Sequence, residues 1–298
     1  MSIRNSWLAA AILAAIAAPA AAQQTITKRA NVSADATIEI SNVQGSVRVS
    51  AWDKNEVELV AVLESDKDKL EFEATARIVR IEVDRPDGKY GRNREEAHLT
   101  VKVPRGARLI VDTVSADIAV AEVRGEQDLE SVSGAVGTQA YDAPVKAASV
   151  SGDVTVTGTG GKAAVKTENV SGTATVTGVR GSLEGEVVSG EIHATIAAAD
   201  NIDVSSVSGN ITVDAELTST ASVDMESVSG AITLKIKPPV NADFDIESFS
   251  GDIDNCFGPK ARDTSKFTPG SELSFTQGSG GARIELQTLS GEINICDR

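Results

Sequence analysis

Apolar and polar residues alternate with a period of two through most of this chain, which predicts β-strands with one buried face. The alternation is clearest just after a series of glycines, as in Ile211-Thr212-Val213. A second strand of the same kind closes each repeat, as in Ile202-Asp203-Val204. Because the repeats lack the spacing of an amphipathic helix, the pattern predicts an all-β chain.

These glycines belong to a repeated Val-Ser-Gly motif that fills the C-terminal two thirds of the chain. Successive copies are 18 to 21 residues apart, except for a last step of 40 residues. A degenerate copy, Val43-Gln44-Gly45, precedes them. The copies are Val114-Ser115-Ala116, Val132-Ser133-Gly134, Val150-Ser151-Gly152, Val170-Ser171-Gly172, Val188-Ser189-Gly190, Val207-Ser208-Gly209, Val228-Ser229-Gly230, Phe249-Ser250-Gly251 and Leu289-Ser290-Gly291.

A repeat of 18–21 residues is too short for a propeller blade but fits one rung of a parallel β-solenoid. We therefore predict a β-helix-like solenoid in which each rung buries its apolar face against its neighbours, about 4.8 Å away. The Ser and Gly of each motif are predicted to be structural corner residues. The glycine would adopt a positive φ, although Ala116 replaces it once, and the Ser hydroxyl would satisfy backbone groups.

The segment before the repeats contains strands without the tight period, at 56–63, 77–83 and 97–103, with a turn at Pro86-Asp87-Gly88. We interpret this segment as an N-terminal β-cap, because an uncovered terminal rung would expose unpaired strand edges. The predicted division is a signal peptide at 1–22, the cap region at 23–108 and the solenoid at 109–298, with an insertion at about 257–283.

Three segments before the repeats resemble a known family. They are Ile40-Ser41-Asn42-Val43-Gln44-Gly45-Ser46-Val47-Arg48-Val49, followed by Trp52-Asp53-Lys54-Asn55, and Pro104-Arg105-Gly106-Ala107, which leads into the array. With the repeats, they are similar to the exported bacterial β-strand-repeat proteins of the putative-adhesin family, defined by a domain of unknown function. The resemblance covers essentially the whole mature chain. It implies the repeat fold and a role in adhesion, and it carries no catalytic residues.

The first residues have the three parts of a secretory signal. Arg4 supplies the positive charge, Leu8 to Ala18 the apolar stretch, and Ala20-Ala21-Ala22 the cleavage site. We expect export to the periplasm, the cell surface or the medium. The apolar stretch is too short to span a membrane and no later one is comparable, so we expect no transmembrane anchor.

The charge of the chain excludes one class of partner. Without Arg4, 27 basic residues face 43 acidic ones, which repels nucleic acid. Residues 77 to 108 are locally basic, with nine Lys or Arg against five acids. They are either a solvated set of strands or a basic end that contacts an anionic partner or the acidic body of another copy.

The two cysteines occupy the same column of the repeat. Cys256 lies five residues after Gly251, and Cys296 lies five residues after Gly291. If the two rungs are adjacent, the cysteines are within disulfide range, and an oxidising compartment favours the bond. The alternative is an extra rung from Pro269-Gly270 to Phe275, which would separate them by two spacings.

The residue after each motif Gly is acidic in some repeats and neutral in others, as with Asp117, Ala135 and Asp153. Acids in adjacent rungs would repel, so we interpret this column as a solvated face that resists pairing. Calcium binding is the alternative, but the Gly-Gly-x-Gly-x-Asp loops of calcium-binding β-rolls are missing. No metal or cofactor is predicted.

The candidates for catalysis are weak. A serine in every repeat is not a single activated nucleophile, and His193 lies in an outward column. The segment Gly158-Thr159-Gly160-Gly161-Lys162-Ala163 lacks the spacing and the Ser or Thr of a phosphate loop.

We therefore predict a non-catalytic envelope or surface scaffold that presents an acidic, hydroxyl-rich solenoid face to an envelope or surface partner of unknown identity. Self-association is also open. One alternative is a polysaccharide-active β-helix enzyme, since paired carboxylates on stacked strands can act as acid and base. Another is a periplasmic sensor or regulatory partner.

Overall fold

The computed structural model describes residues 24–65, 67–84, 95–263 and 270–297, and all the regular elements in these ranges are β-strands. The predicted all-β class is confirmed, with the strands joined in one long mixed sheet. The predicted signal peptide and the turn at 86–88 lie outside the described residues. The strands are β1 Gln24–Asn31, β2 Thr37–Trp52, β3 Glu56–Leu63, β4 Lys69–Ala74, β5 Ile78–Asp84, β6 Ala97–Pro104, β7 Arg108–Ala121, β8 Gln127–Ser131, β9 Val136–Ala140, β10 Val145–Ser149, β11 Val154–Gly158, β12 Lys162–Asn169, β13 Ala174–Val187, β14 Ile192–Ser206, β15 Ile211–Ser227, β16 Ile232–Ile236, β17 Ala242–Ser248, β18 Ile253–Asn255, β19 Arg262–Asp263, β20 Ser271–Gln277, β21 Ala282–Thr288 and β22 Ile293–Asp297.

Parallel strands stack in two columns, one before and one after each Val-Ser-Gly motif. We call the two strands around one motif a rung. In the column before the motif, Val145 lies opposite Gln127 on one side and Val165 on the other. In the column after it, Val154 lies between Val136 and Ala174. The register pairs equivalent positions of successive repeats, so columns in the aligned sequence are columns in space.

The order of the rungs departs from chain order at the C-terminus. The last rung of the chain, β21 and β22, lies between two earlier rungs. Strand β21 pairs in parallel with both β15 and β17, and β22 pairs in parallel with both β16 and β18. Strand β20 then pairs antiparallel with β17, so the segment proposed as an extra rung does not separate β18 from β22.

A similar arrangement occurs at the other end. Strand β2 pairs in parallel with β7 on one side and with β5 and β6 on the other. Strand β3 pairs antiparallel with β6 and with β1, and β4 pairs antiparallel with β5. The first long strand, β2, and the last rung, β21 with β22, therefore each lie between parallel neighbours on both sides, and we call them enclosed. Antiparallel strands lie beyond those neighbours at each end.

The core is a continuous cluster of Val, Ile, Leu and Ala from both columns. At its C-terminal end, buried Phe244 of β17 stacks on Phe275 of β20 with ring centroids 4.6 Å apart. The ring centroid of Phe257 lies 5.8 Å from that of Phe244, with the two rings tilted. These rings cover the apolar end of the stack, which would otherwise face water.

The motif glycines do not have the predicted positive φ. They are required because each lies against the backbone of the neighbouring rung. A Cβ on any of the eight would lie 1.6 to 2.2 Å from the carbonyl oxygen of the equivalent residue there. Ala116 takes the glycine position of the first motif, and its partner on the neighbouring rung is Gly45, whose φ is +114°. The motif glycines are Gly134, Gly152, Gly172, Gly190, Gly209, Gly230, Gly251 and Gly291.

Candidate functional site

A long groove follows the corner formed by the Val-Ser-Gly motifs and crosses the rungs from Asp112 to Phe249. Its volume is about 1050 Å³. Three columns line it, namely the first residue of each motif and the two residues before that. The groove is thus built by repetition, with each rung adding one residue to each column.

The first motif residue forms an exposed apolar column, which we name the valine ladder. Its members are 38% exposed at Val114 and up to 62% exposed at Phe249. Neighbours in the ladder are one strand spacing apart, so the ladder extends for about 38 Å. In stacking order it consists of Val114, Val132, Val150, Val170, Val188, Val207, Val228, Leu289 and Phe249.

The ladder is exposed because the strand alternation shifts at the corner. Val132 and Ser133 are both exposed, whereas Ser131 before them and Gly134 after them are buried. The N–H groups of Val132 and Ser133 donate to carbonyl groups of the preceding rung at 3.1 and 2.8 Å. The backbone therefore remains in the parallel hydrogen-bond network while two successive side chains face solvent.

A buried polar residue three positions before the glycine connects the corners. The N–H of Gly152 donates to Ser149 Oγ at 2.9 Å, and this hydroxyl donates to the carbonyl of Gly134 at 3.0 Å. The motif serines are exposed instead, so the corner role predicted for them belongs to the earlier residue. Other corner contacts are made by Thr113, Ser131, Asn169, Ser206 and Ser248. The exposed motif serines are Ser115, Ser133, Ser151, Ser171, Ser189, Ser208, Ser229, Ser250 and Ser290.

One side of the groove is an acidic wall, formed by the residues four positions before the motif glycine. Two lysines in the adjacent column neutralise part of it. Lys146 forms ion pairs with Glu130 and Glu168, and Lys166 forms ion pairs with Glu168 and Glu186. The hydrogen bond to Glu130 raises the pKa of Lys146, which therefore stays charged at neutral pH. The acids of the wall are Asp112, Glu130, Glu168, Glu186, Glu226 and Glu247.

Towards the C-terminus, four acids occupy the column next to the wall, and we name them the carboxylate run. Asp203, Asp224, Glu285 and Asp245 pair in register on successive rungs, and within the described residues none forms an ion pair. Carboxylates one strand spacing apart repel by about 3.5 kcal/mol at an effective dielectric of about 20, and by about a quarter of that in water. Burial, and then the neighbouring acids Glu226, Glu285 and Asp203, raise the pKa of Asp224.

The column after the motif glycine has a structural role. Asp117 accepts a hydrogen bond from the N–H of Ala135 on the next rung at 2.9 Å, and Asp153 accepts one from Thr173 at 2.9 Å. Asn210 accepts a third from Ala231. In each of these three cases the donor belongs to a neutral residue, so no second charge lies beside the acceptor, whereas Glu292 and Asp252 occupy this column on the two adjacent last rungs.

Cys256 and Cys296 are joined by a disulfide, with their Cα atoms 4.9 Å apart. Asn255 and Ile295, the preceding residues, face each other in the pairing of β18 with β22. The bond therefore connects the enclosed last rung to the rung that lies outside it.

The titratable groups outside the groove do not converge on a reactive centre in the described ranges. There, no group of three or more His, Cys, Asp or Glu side chains is arranged to hold a metal ion. His193 contacts Glu191 at 3.0 Å on the surface, and His98 contacts Ser46 at 3.0 Å and Glu96 at 3.5 Å.

The basic residues between 77 and 108 are largely engaged within the chain. Arg80 pairs with Glu39, Lys102 with Glu58, Arg105 with Asp53 and Glu122, and Arg108 with Glu126. The basic side chains at 85, 89, 92 and 94 lie outside the described residues. The part that is described behaves as a set of paired, solvated strands. None of the described segments is a helix long and apolar enough to span a membrane.

A family model described as Toastrack DUF4097 matches residues 36–296 and confirms the resemblance indicated by the motifs. No curated protein matches the chain. Among solved structures, a putative adhesin from Bacteroides fragilis is 15% identical, with 93% of this chain and 99% of that one covered and a TM-score of 0.44. A putative adhesin from Parabacteroides distasonis is 12% identical, with 93% and 98% covered and a TM-score of 0.38. A putative lipid binding protein from the same organism is 12% identical, with 92% and 96% covered and a TM-score of 0.37.

Proposed function

The chain belongs to the Toastrack DUF4097 family, and from that premise we propose that it is a non-catalytic, exported envelope or surface scaffold that binds a partner along the valine ladder. Its binding face combines the exposed ladder, the acidic wall on one side and the exposed motif serines on the other. The proposal is of an adhesin-like protein that acts by presenting a surface.

The proposed scaffold is a parallel β-solenoid of 18–21 residues per rung. The in-register parallel pairing of equivalent repeat positions supports it, because each rung then adds one strand to each column. We propose residues 23–108 as an N-terminal β-cap and 109–298 as the solenoid, with an insertion at about 257–283. The antiparallel strands β1, β3 and β4 beyond the enclosed β2 support the cap.

The observation that carries the function is the continuity of the ladder. Single exposed apolar residues are common on protein surfaces and require no explanation. Here the same position is apolar and exposed in nine successive rungs, although a polar residue there would leave the core unchanged. A contiguous apolar strip bordered by polar columns is typical of an interaction surface.

Two further observations support other parts of the proposal. The wall acids Glu130 and Glu168 are held by a lysine, so they are not poised as a free acid and base pair. The disulfide supports export, because such bonds persist in oxidising compartments.

Site-specific photo-crosslinking in cells tests the proposed face. A photoreactive residue placed at Val150 should form adducts with an envelope component, and one at Thr155, exposed elsewhere on the same rung, should form few. The adducts should disappear when Val170, Val188 and Val207 are changed to Thr, and persist when they are changed to Ile, which preserves the apolar strip. Equal adducts at both positions, or insensitivity to the Thr changes, would overturn the binding face. Turnover of a glycan panel by the purified protein would overturn the non-catalytic assignment.

A further inference from the structure

The C-terminal end of the groove has a composition that selects a partner. We infer that it binds a cationic amphipathic segment of another protein, with apolar side chains on the end of the valine ladder and basic side chains on the neighbouring acids. This inference rests on the proposed function, since it uses the same groove, and it names the chemistry of the occupant.

The ladder becomes bulkier at this end. Its last three members in stacking order are Val228, Leu289 and Phe249, and Leu289 and Phe249 are 53% and 62% exposed. Leu and Phe offer more apolar surface than Val, so more is gained when a partner covers them. A few well-packed residues carry most of the binding energy in protein interfaces, and aromatic side chains, Phe included, are enriched there.

The same rungs carry the charge that is not neutralised. Asp224, Glu285 and Asp245 lie on the rungs of the last three ladder residues, with Glu226 and Glu247 between them and the ladder. Lys146 and Lys166 pair with acids nearer the N-terminus, and in the described part of the chain no cation contacts the carboxylate run. Basic groups of a partner would relieve the repulsion among these acids. The apolar end of the ladder and the unneutralised acids beside it therefore favour the same occupant, a segment that is both apolar and basic.

Other occupants fit this end poorly. A second copy that docks with the C-terminal ends of the two grooves together would bring one carboxylate run against another, which raises the repulsion. An anionic lipid surface would be repelled by the same acids. An uncharged acyl chain would cover Leu289 and Phe249 but leave the carboxylates as they are. A cationic amphipathic segment satisfies both columns at once.

Peptide binding to the purified mature chain tests the inference. The probe is a fluorescent 18-residue peptide of Leu and Lys in an amphipathic repeat, and its counterpart has Glu in place of Lys. We expect the Lys peptide to bind in a salt-sensitive manner and the Glu peptide to bind at least about tenfold more weakly.

Matched variants separate the groove from the net charge. Glu226→Gln with Glu247→Gln should weaken Lys-peptide binding about tenfold, whereas Asp252→Asn with Glu292→Gln, which removes the same charge from the column after the motif glycine, should change it less than about twofold. Leu289→Thr with Phe249→Thr should also weaken binding about tenfold. These four acids and two apolar residues are exposed, and circular dichroism checks that each variant is folded.

Besides failure of the Lys peptide to bind, three patterns of results would overturn the inference. One is equal loss of affinity in the two charge variants, which would mean that the peptide responds only to net charge. Another is a concentration-dependent dimer that Phe249→Thr abolishes, which would assign this end to a second copy. The third is binding to phosphatidylglycerol vesicles without binding to the Lys peptide. If the peptide fails to bind while ladder crosslinks persist in cells, only this inference falls, whereas loss of the crosslinks themselves refutes the proposed function.

Discussion

The motif glycine shows how one residue is constrained by the rung beside it. Gly209 has no positive φ, yet a Cβ there would lie 1.6 Å from the carbonyl oxygen of Gly190. By contrast, Gly137 in β9 has no heavy atom nearer than 3.9 Å to an added Cβ. Neither glycine has a positive φ, and they differ in how closely a neighbouring backbone approaches them. Substitution by alanine should therefore have opposite effects on the stability of the two sites.

Gly209→Ala should lower the free energy of unfolding by about 2 kcal/mol or more, because the backbones of two rungs must separate. Gly137→Ala should raise it by about 0.4 to 1 kcal/mol, because alanine reduces the conformational entropy of the unfolded chain. Urea unfolding of both variants checks the pair. Equal destabilisation by the two changes would contradict the close-approach explanation.

The corner serines provide a second contrast at this scale. Ser149→Ala should cost about 1 to 3 kcal/mol, because it leaves the N–H of Gly152 and the carbonyl of Gly134 without their buried partner. Ser151→Ala, at the exposed motif serine two residues on, should stay within about 0.5 kcal/mol of the wild type. Thermal unfolding measures both, and a larger effect at Ser151 would restore the corner role to the motif serine.

At the level of elements, the enclosed last rung determines how the C-terminus is closed. Strands β21 and β22 pair on both sides, and β20 lies antiparallel beyond β17. The chain must therefore be complete before the rung of β15 and β16 acquires its neighbour. The disulfide joins β22 to the end of β18 across a sequence separation of 40 residues.

Replacing both cysteines with serine, Cys256→Ser with Cys296→Ser, should destabilise this end by up to about 4 kcal/mol on the chain-entropy model. Stability is local in stacked repeats, so hydrogen exchange should accelerate in 242–255 and remain unchanged in 145–158. A reducing agent should reproduce the effect in the wild type and add nothing to the variant. Uniform acceleration along the chain would show instead that the molecule unfolds as one unit.

At the scale of the whole molecule, the acidic surface makes stability depend on pH. The formal net charge is −15, and the carboxylate run concentrates part of it on one face. Burial, and then neighbouring acids, raise the pKa of Asp224 above its ordinary value of 3.8. The hydrogen bond from Arg105 has the opposite effect and lowers the pKa of Asp53. The two kinds of group therefore act in different pH windows.

Lowering the pH from 7 towards 3.8 should increase the contribution of Asp224 to the free energy of unfolding. In the window above 3.8, folded Asp224 holds a proton more readily than it does in the unfolded chain, so protonation favours the folded state. The contribution of Asp53 is intact there and is lost only as the pH falls below 3.8. Asp224→Asn should be more stable than wild type at pH 7 and gain less on acidification. Urea unfolding at pH 7 and at about pH 4 measures this difference, with Asp252→Asn as the control, and an Asp224→Asn variant that gains as much as the wild type on acidification would contradict it.

The alternation of residues predicted most strand positions well, because a strand must place every second side chain on the core. Strands predicted at 56–63 and 97–103 correspond to β3 and β6, and the columns after the glycine are buried as expected. The valine ladder was not predicted. Val132 has the same parity as the buried Val136, and only the corner, where Val132 and Ser133 both face outward, determines its exposure.

The sequence by itself determined the all-β class, the repeat period, the column in which each residue lies and the shared column of the two cysteines. These follow from local alternation and from a fixed spacing, both of which are properties of the chain. Only the tertiary structure decided that the last rung lies between the two rungs that precede it in the sequence, so that Cys256 faces Cys296. It also decided that the first motif residue faces water. Rung order and corner direction depend on contacts between segments distant in sequence, such as β21 with β15, and a periodic sequence permits more than one such arrangement.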